Sequence, residues 1–340
     1  DHERETDMIE NKRWVVTGAA GFLGSHLCDT LLEAGHDVLG VDALLWGQLA
    51  NLSKARNQRS FEFVKTDIRD RTNLMATLQR FKPDHVIHLA ALHFIPLAER
   101  EPDLALDINV RGTQNVIDAA QAAGAGHFFF ASTGDVYPSS CQPHREDETP
   151  SPFNVYGVSK LHGELLCRLA AARSPATSFT LGRLFNLYGS RETNPHIIPE
   201  ILKQLRENPH ASLRLGSTWP RRDYTPVKDA AEAIFALSTQ SAPGLEISNI
   251  GTGVARSVDE LLAELRNLTD LTIPVILDPA RVRPVERPHL QADVTRLRSR
   301  IGARVPCEDI KAGLLQLLSQ EPITKAQDRT NHERAPGPTA

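Results

Sequence analysis

The chain has 340 residues, 41% of them hydrophobic and 24% charged, with a formal net charge of -4. That length predicts one large or two unequal globular units with a sizeable core. No basic stripe or aromatic–basic interleaving points to nucleic acid, and no apolar run approaches the roughly 20 residues that cross a bilayer.

In chain order, residues 1–12 form a charged tail without the apolar core of a secretory signal. "RWVVTGAA" predicts a strand, and "GFLGSHLCDTLLEAG" predicts a helix stopped by Gly35. "DVLGVDAL" and "FEFVKTDIRD" are the next strands, "TNLMATLQRF" a helix and "DHVIHLAA" a fourth strand. "NVRGTQNVIDAAQAAG" is a helix closed by Gly124, followed by the strand "HFFFAST". Strict alternation of apolar strands with helices predicts an α/β fold with a doubly wound parallel (Rossmann) sheet. Beyond "FTLGRLFNLYG", Pro195, Pro199, Pro209 and Pro220 break the pattern, predicting a smaller, mostly C-terminal substrate-binding domain. The expected division is a Rossmann domain over 13–182, with "DYTPVKDAAEAIFAL" and "LEISNIGTG" returning to its sheet near 222–250. A second domain mainly over 183–318 and a disordered tail over 319–340 complete it. Cys28, Cys141, Cys167 and Cys307 have no paired spacing, which predicts a reducing, cytoplasmic setting and no metal; Cys28 and Cys167 read as core residues.

The first strand runs into "TGAAGFLG", which places Gly18, Gly21 and Gly24 at a strand-to-helix turn. Glycines there permit a tight turn, close approach to a pyrophosphate and helix–sheet packing. Asp42 ends the second strand about 20 residues later, where a carboxylate holds ribose hydroxyls and repels the extra phosphate of NADP. NAD is the predicted cofactor. Asp67 is a candidate adenine contact or equally a strand-end cap. In "TPSPFNVYGVSK", Tyr156 and Lys160 share one helix face. A tyrosine with pKa near 10 becomes a base at neutral pH only beside positive charge, which the ammonium and an oxidised nicotinamide would supply.

Together with "DIRD", "HLAA", "STGDVYP", "LGRLFNLYG", "RRDYTPVKDAAEA", "SNIGTG" and "RPVERPHLQAD", these motifs resemble the extended short-chain dehydrogenase/reductases. The match is to their nucleotide-sugar epimerase/dehydratase branch and runs over residues 13–318. The resemblance implies that Tyr156 exchanges the proton of a sugar 4-hydroxyl, that Lys160 tunes it and binds the nicotinamide ribose, and that Thr133 hydrogen-bonds the same hydroxyl. Ser132 is the neighbouring alternative. It extends the cofactor contacts to Phe22, Leu23, Ile68, Leu89, Ala90 and Ala91. It also places His93, Asn186, Arg222, Arg283 and Glu286 against a nucleoside-diphosphate sugar, arginines being suited to phosphate oxygens. His93 is equally a loop-packing residue, and His88 a hydrogen-bonded core residue or a group near the cofactor. Relatives dimerise through the two helices that carry "NVRGTQNVIDAAQAAG" and "YGVSKLHGELLCRLAAAR", so a homodimer is expected.

Hydride transfer from C4 to NAD would open every reaction of this branch. Dehydratases carry Thr-Asp-Glu before "VY" and decarboxylases Thr-Ser-Glu, whereas simple epimerases have small or hydroxyl residues at both places. Here the triplet is Thr133-Gly134-Asp135. Gly134 removes the dehydratase acid, while Asp135 keeps a shorter carboxylate. 4-Epimerisation needs only the residues present and is the expected reaction. A 4,6-dehydratase or uronic-acid decarboxylase using Asp135 is the alternative, and a non-catalytic NAD-binding regulator the reading from another class.

Overall fold

The structure is a computed structural model that describes residues 10–240, 242–282, 286–307 and 309–323. Most of the two expected tails, residues 1–9 and 324–340, therefore lies outside the described residues, as does Arg283.

The first half alternates strand and helix: β1 (Arg13–Thr17), α1 (Phe22–Glu33), β2 (Asp37–Asp42), β3 (Phe61–Lys65), α2 (Arg71–Phe81) and β4 (His85–His88). Short helices α3 (Ile95–Arg100) and α4 (Pro102–Leu106) lead through a π-helical stretch, Asp107–Gly112, into α5 (Thr113–Ala122). Next come β5 (His127–Thr133), α6 (Val155–Arg173) and β6 (Ser178–Leu184). The second half holds β7 (Asn186–Tyr188), α7 (Ile197–Glu207), β8 (Leu213–Leu215), β9 (Arg221–Pro226), α8 (Val227–Thr239), β10 (Leu245–Ile250), β11 (Ala255–Ser257), α9 (Val258–Thr269), β12 (Val275–Leu277), β13 (His289–Leu290), α10 (Thr295–Ile301) and α11 (Ile310–Gln320).

Seven parallel strands in the order β10-β6-β5-β4-β1-β2-β3 make the main sheet. The order reverses at β1, so β1 and β4 diverge and open a crevice at their C-terminal ends. β5 is buried along its whole length, because helices cover both faces of a parallel sheet. One apolar layer holds Leu27 and Leu31 of α1 with Ile234 and Leu237 of α8; the other holds Leu74 of α2, Val116 of α5 and Cys167 of α6. Gly35 and Gly124 take positive φ, +85° and +80°, as expected of helix stops.

"LEISNI" does return to the main sheet as β10. "DYTPVKDAAEAIFAL" returns only in part: α8 packs on the main sheet beside α1, whereas β9 pairs with β7, β11 and β13 in a separate sheet. A third apolar cluster gathers α7, α9 and α11 around Leu202, Leu262 and Leu314. Helix α11 carries ordered structure through Gln320, one or two residues into the segment expected as a tail.

Candidate active site

At the crevice, β1 ends in a turn at Gly18 with φ of +74°, where a Cβ would lie 2.9 Å from the Ala90 nitrogen. A Cβ on Gly24 would lie 2.0 Å from the Gly18 carbonyl, so α1 presses directly on the loop. Gly21 caps α1 with no side chain, and no acidic residue sits in its first turn, which leaves a helix N-terminus suited to an anion. Asp42 accepts hydrogen bonds from Ala20 N (2.9 Å) and Leu44 N (2.7 Å). Burial raises its pKa, and those two donors oppose the rise. Asp67 is gripped by Arg69, which lowers its pKa, so much of its accepting capacity is already used. A helix N-terminus for a pyrophosphate and a carboxylate for a ribose diol fit NAD.

The expected cofactor residues Gly18, Gly21, Phe22, Leu23, Gly24, Asp42, Asp67, Ile68, Leu89, Ala90, Ala91 and Lys160 all line one cavity of about 1100 Å³. Thr133, Asp135, Tyr156, His93, Asn186, Arg222 and Glu286 line the same cavity. Cofactor-side and sugar-side candidates, spread over 269 positions from Gly18 to Glu286, thus share one space.

Helix α6 starts at Asn154, whose side chain accepts the Gly157 N–H at 2.7 Å, and this cap places Tyr156 and Lys160 on the turn facing β5. Burial and the nearby Asp135 charge push the Tyr156 phenol pKa up, and the neighbouring Thr133 hydroxyl opposes the rise. Lys160 is 3% exposed, lies over the Phe130 ring at 4.8 Å and has its pKa pushed down to about 7 by burial. The expected lowering of the Tyr156 pKa by Lys160 is therefore not what the protein alone produces. A buried amine with so low a pKa brings only part of a positive charge at neutral pH.

Two candidates are committed elsewhere. The Ser132 hydroxyl donates to Glu164 (2.6 Å), which also holds Arg183 in a fully buried ion pair at 2.8 Å. His88 lies between the Thr17 and Thr113 hydroxyls at 2.7 and 2.9 Å, and burial lowers its pKa to about 3; it is a neutral core histidine. His93 is bound to the loop after β7: its Nε2 lies 3.0 Å from Asn194 Nδ2, and it bonds the Ala91 backbone. With burial lowering its pKa to about 4, His93 is neutral and packs as part of the cavity wall. Arg222 and Glu286 pair with each other at 2.8 Å.

Three residues that brace or line the cavity were not singled out in the sequence. Asn109, in the π-helical stretch, receives Leu92 N (2.8 Å) and donates to Leu92 O and Ser159 Oγ (both 2.9 Å), clamping the β4 loop to α6. Glu164 lies four residues beyond Lys160 and shares its helix face, a spacing from which it was legible. Arg287, buried at 4% exposure in the quoted "RPVERPHLQAD", lines the cavity; nothing local set it apart from Arg283.

Fold and cavity together define an NAD-binding enzyme of the nucleotide-sugar epimerase/dehydratase class, built at the crevice of a doubly wound sheet. The chain belongs to the NAD dependent epimerase/dehydratase family, whose model matches residues 14–251, and NAD is its cofactor. It is 33% identical over 295 residues to a UDP-glucose 4-epimerase of Mycolicibacterium smegmatis, covering 85% of this chain and 92% of that protein. It is 31% identical over 261 residues to a dTDP-D-glucose 4,6-dehydratase of Mus musculus, covering 76% and 73%. The solved UDP-glucose-4-epimerase of Stenotrophomonas maltophila, with bound NAD and formylated UDP-arabinopyranose, superposes with a TM-score of 0.82 at 26% identity, covering 94% of this chain and 100% of that one.

Proposed function

We propose that the protein is a nucleotide-sugar 4-epimerase working through a transient 4-keto sugar, with residues 183–318 mainly forming the sugar-binding unit. The observation that carries this reading is the surrounding of Gly134. A Cβ there would meet Phe185 and Leu290 at 3.2 and 3.3 Å, and both are buried apolar residues. The position where a dehydratase would carry its acid holds a glycine crowded by apolar side chains, so expulsion of a 6-hydroxyl has no proton donor there.

NAD, held by the glycine turn at residues 18–24 and Asp42, would supply a reversible acceptor for the C4 hydride. The Tyr156 phenolic oxygen takes the proton of the 4-hydroxyl and gives it back to the 4-keto oxygen. Thr133 holds that oxygen beside the phenol, a role supported by the two side chains sharing the cavity wall and by the pull of the Thr133 hydroxyl on the Tyr156 pKa. Positive charge from Lys160 and the cofactor ring offsets the burial that raises the phenol pKa. Asn186, Arg222, Arg283 and Glu286 are assigned to the nucleoside diphosphate. The four cysteines are free, two of them exposed, which supports a reducing, cytoplasmic setting. Among the described residues no helix is long and apolar enough to cross a membrane, and no cluster suits a metal ion. On α6, Val158, Leu165 and Leu169 are exposed along one face, which supports homodimerisation through α5 and α6.

Asp135 lines the cavity, and this favours a 4,6-dehydratase or decarboxylase as the second reading. The test is to incubate the protein with a panel of nucleotide sugars in deuterated water and read products by mass and NMR. A C4 isomer without deuterium at C5 is expected. Loss of water, loss of carbon dioxide or deuterium at C5 would overturn 4-epimerisation in favour of chemistry at Asp135.

A further inference from the structure

We propose that Arg287 and Asp135 form a receptor for a neutral sugar hydroxyl one or two carbons from the reacting C4, the 3-hydroxyl or the exocyclic 6-hydroxyl, and that they select hexoses over deoxy sugars and uronic acids. This rests on the nucleotide-sugar reading of the cavity and deepens it to a substrate class.

Both groups line the cavity, and Asp135 lies close enough to Tyr156 to act on its charge. A group touching Asp135 therefore lies on the same part of the cavity wall as the oxygen that Tyr156 would serve. Arg287 Nη2 lies 3.8 Å from Asp135 Oδ1. That separation is too long for a hydrogen bond, although the two charges attract. Among the described residues the Asp135 carboxylate receives no hydrogen bond, and the buried Arg287 Nε has no partner. Such a pair has one spare acceptor and spare donors. A hydroxyl suits it, because it donates to the carboxylate while accepting from the guanidinium.

A carboxylate suits it less. Arg287 Nη1 already donates to the Gly134 carbonyl (3.4 Å) and Nη2 to the Tyr137 carbonyl (2.9 Å), while its guanidinium stacks on Phe153 at 4.6 Å. The planar fork that grips a carboxylate is thus partly committed to the backbone. Any uronate would also meet the like charge of Asp135. A deoxy sugar would leave two desolvated polar groups without a partner, and such groups reject analogues that lack the hydroxyl.

The NAD-loaded protein is titrated by calorimetry with UDP, dTDP and GDP. The nucleotide that binds is then compared as its hexose, 3-deoxyhexose, 6-deoxyhexose and hexuronate derivatives. The hexose should bind about tenfold or more tightly than one of the two deoxy forms, which identifies the hydroxyl, and more tightly than the uronate. Asp135→Ala and Arg287→Met should each bring the hexose-to-deoxy ratio to within about twofold, with affinity for the free nucleotide unchanged. Asp135→Ala leaves the braces from Arg287 to the backbone in place, so the test does not depend on Arg287→Met folding. Equal binding of all derivatives, tightest binding of the uronate, or equal losses for free nucleotide and sugar would overturn the proposal. If none of the three nucleotides binds, the nucleotide-sugar reading itself fails and takes this inference with it.

Discussion

The amine of Lys160 has no carboxylate partner among the described residues, and its pKa falls from 10.5 to about 7. Below pH 7 it is charged in both folded and unfolded chains, and the cost of burying the ammonium is then complete. Between pH 7 and 10.5 the unfolded chain holds more protons, so the cofactor-free protein gains stability as pH rises. Lys160→Met should therefore stabilise the cofactor-free protein at pH 7 by at least about 1.4 kcal/mol, the worth of one pKa unit, with the gain fading toward pH 10.5. Denaturant unfolding at pH 7 and pH 10 checks this, while turnover should be lost. At Tyr156 the change to Phe removes only the proton-carrying oxygen. Turnover should fall by about a hundredfold or more with NAD and sugar binding kept. Equal loss of binding and turnover would assign Tyr156 to packing instead.

Between elements, the tie that matters most for the site joins β5 to α6. Ser132 precedes Thr133 on the strand, and Glu164 follows Lys160 by one helical turn on α6, so the Ser132–Glu164–Arg183 network fixes the distance between Thr133 and Tyr156. Glu164→Gln would leave Arg183 charged and unpaired in the core. It should cost about 3–5 kcal/mol of stability, whereas Ser132→Ala should cost about 1 kcal/mol. Thermal unfolding of the two variants checks the ratio. A similar cost for both would mean that the ion pair contributes little beyond its hydrogen bonds. The Asn109 clamp does comparable work between the β4 loop and α6.

For the molecule as a whole, acid is the expected weakness. Burial lowers the pKa of His85 and His93 to about 4 and of His88 and His127 to about 3, and those of His26, His36 and His144 also fall. The folded values lie below the unfolded value of about 6.5. Their contribution is complete above pH 6.5 and is lost as pH falls toward 4, because the unfolded chain takes up protons first. Each histidine steepens the fall by up to about 1.4 kcal/mol per pH unit, so the denaturation midpoint should drop sharply between pH 6.5 and 5. A midpoint that stays level over that range would contradict burial of these rings as neutral groups. At the same scale, Leu165→Glu with Leu169→Glu should convert a homodimer to a monomer in light scattering, since charges would replace the exposed apolar face of α6.

The phosphate loop, the strand alternation and the Tyr156–Lys160 pair were legible because each is local. A glycine turn, a period of two or 3.6 and an i,i+4 spacing are written into neighbouring residues. Asp42 was legible for the same reason, lying one helix and one strand beyond the loop. The tertiary structure alone decided which polar residues are free. Ser132 and His88 resemble site residues in the chain, yet both are held by partners 25 to 71 positions away. It also decided that β9 joins the smaller sheet, and that Arg287 meets Asp135 across 152 positions. Those outcomes depend on which distant surfaces close on one another, and no short window of sequence carries that information.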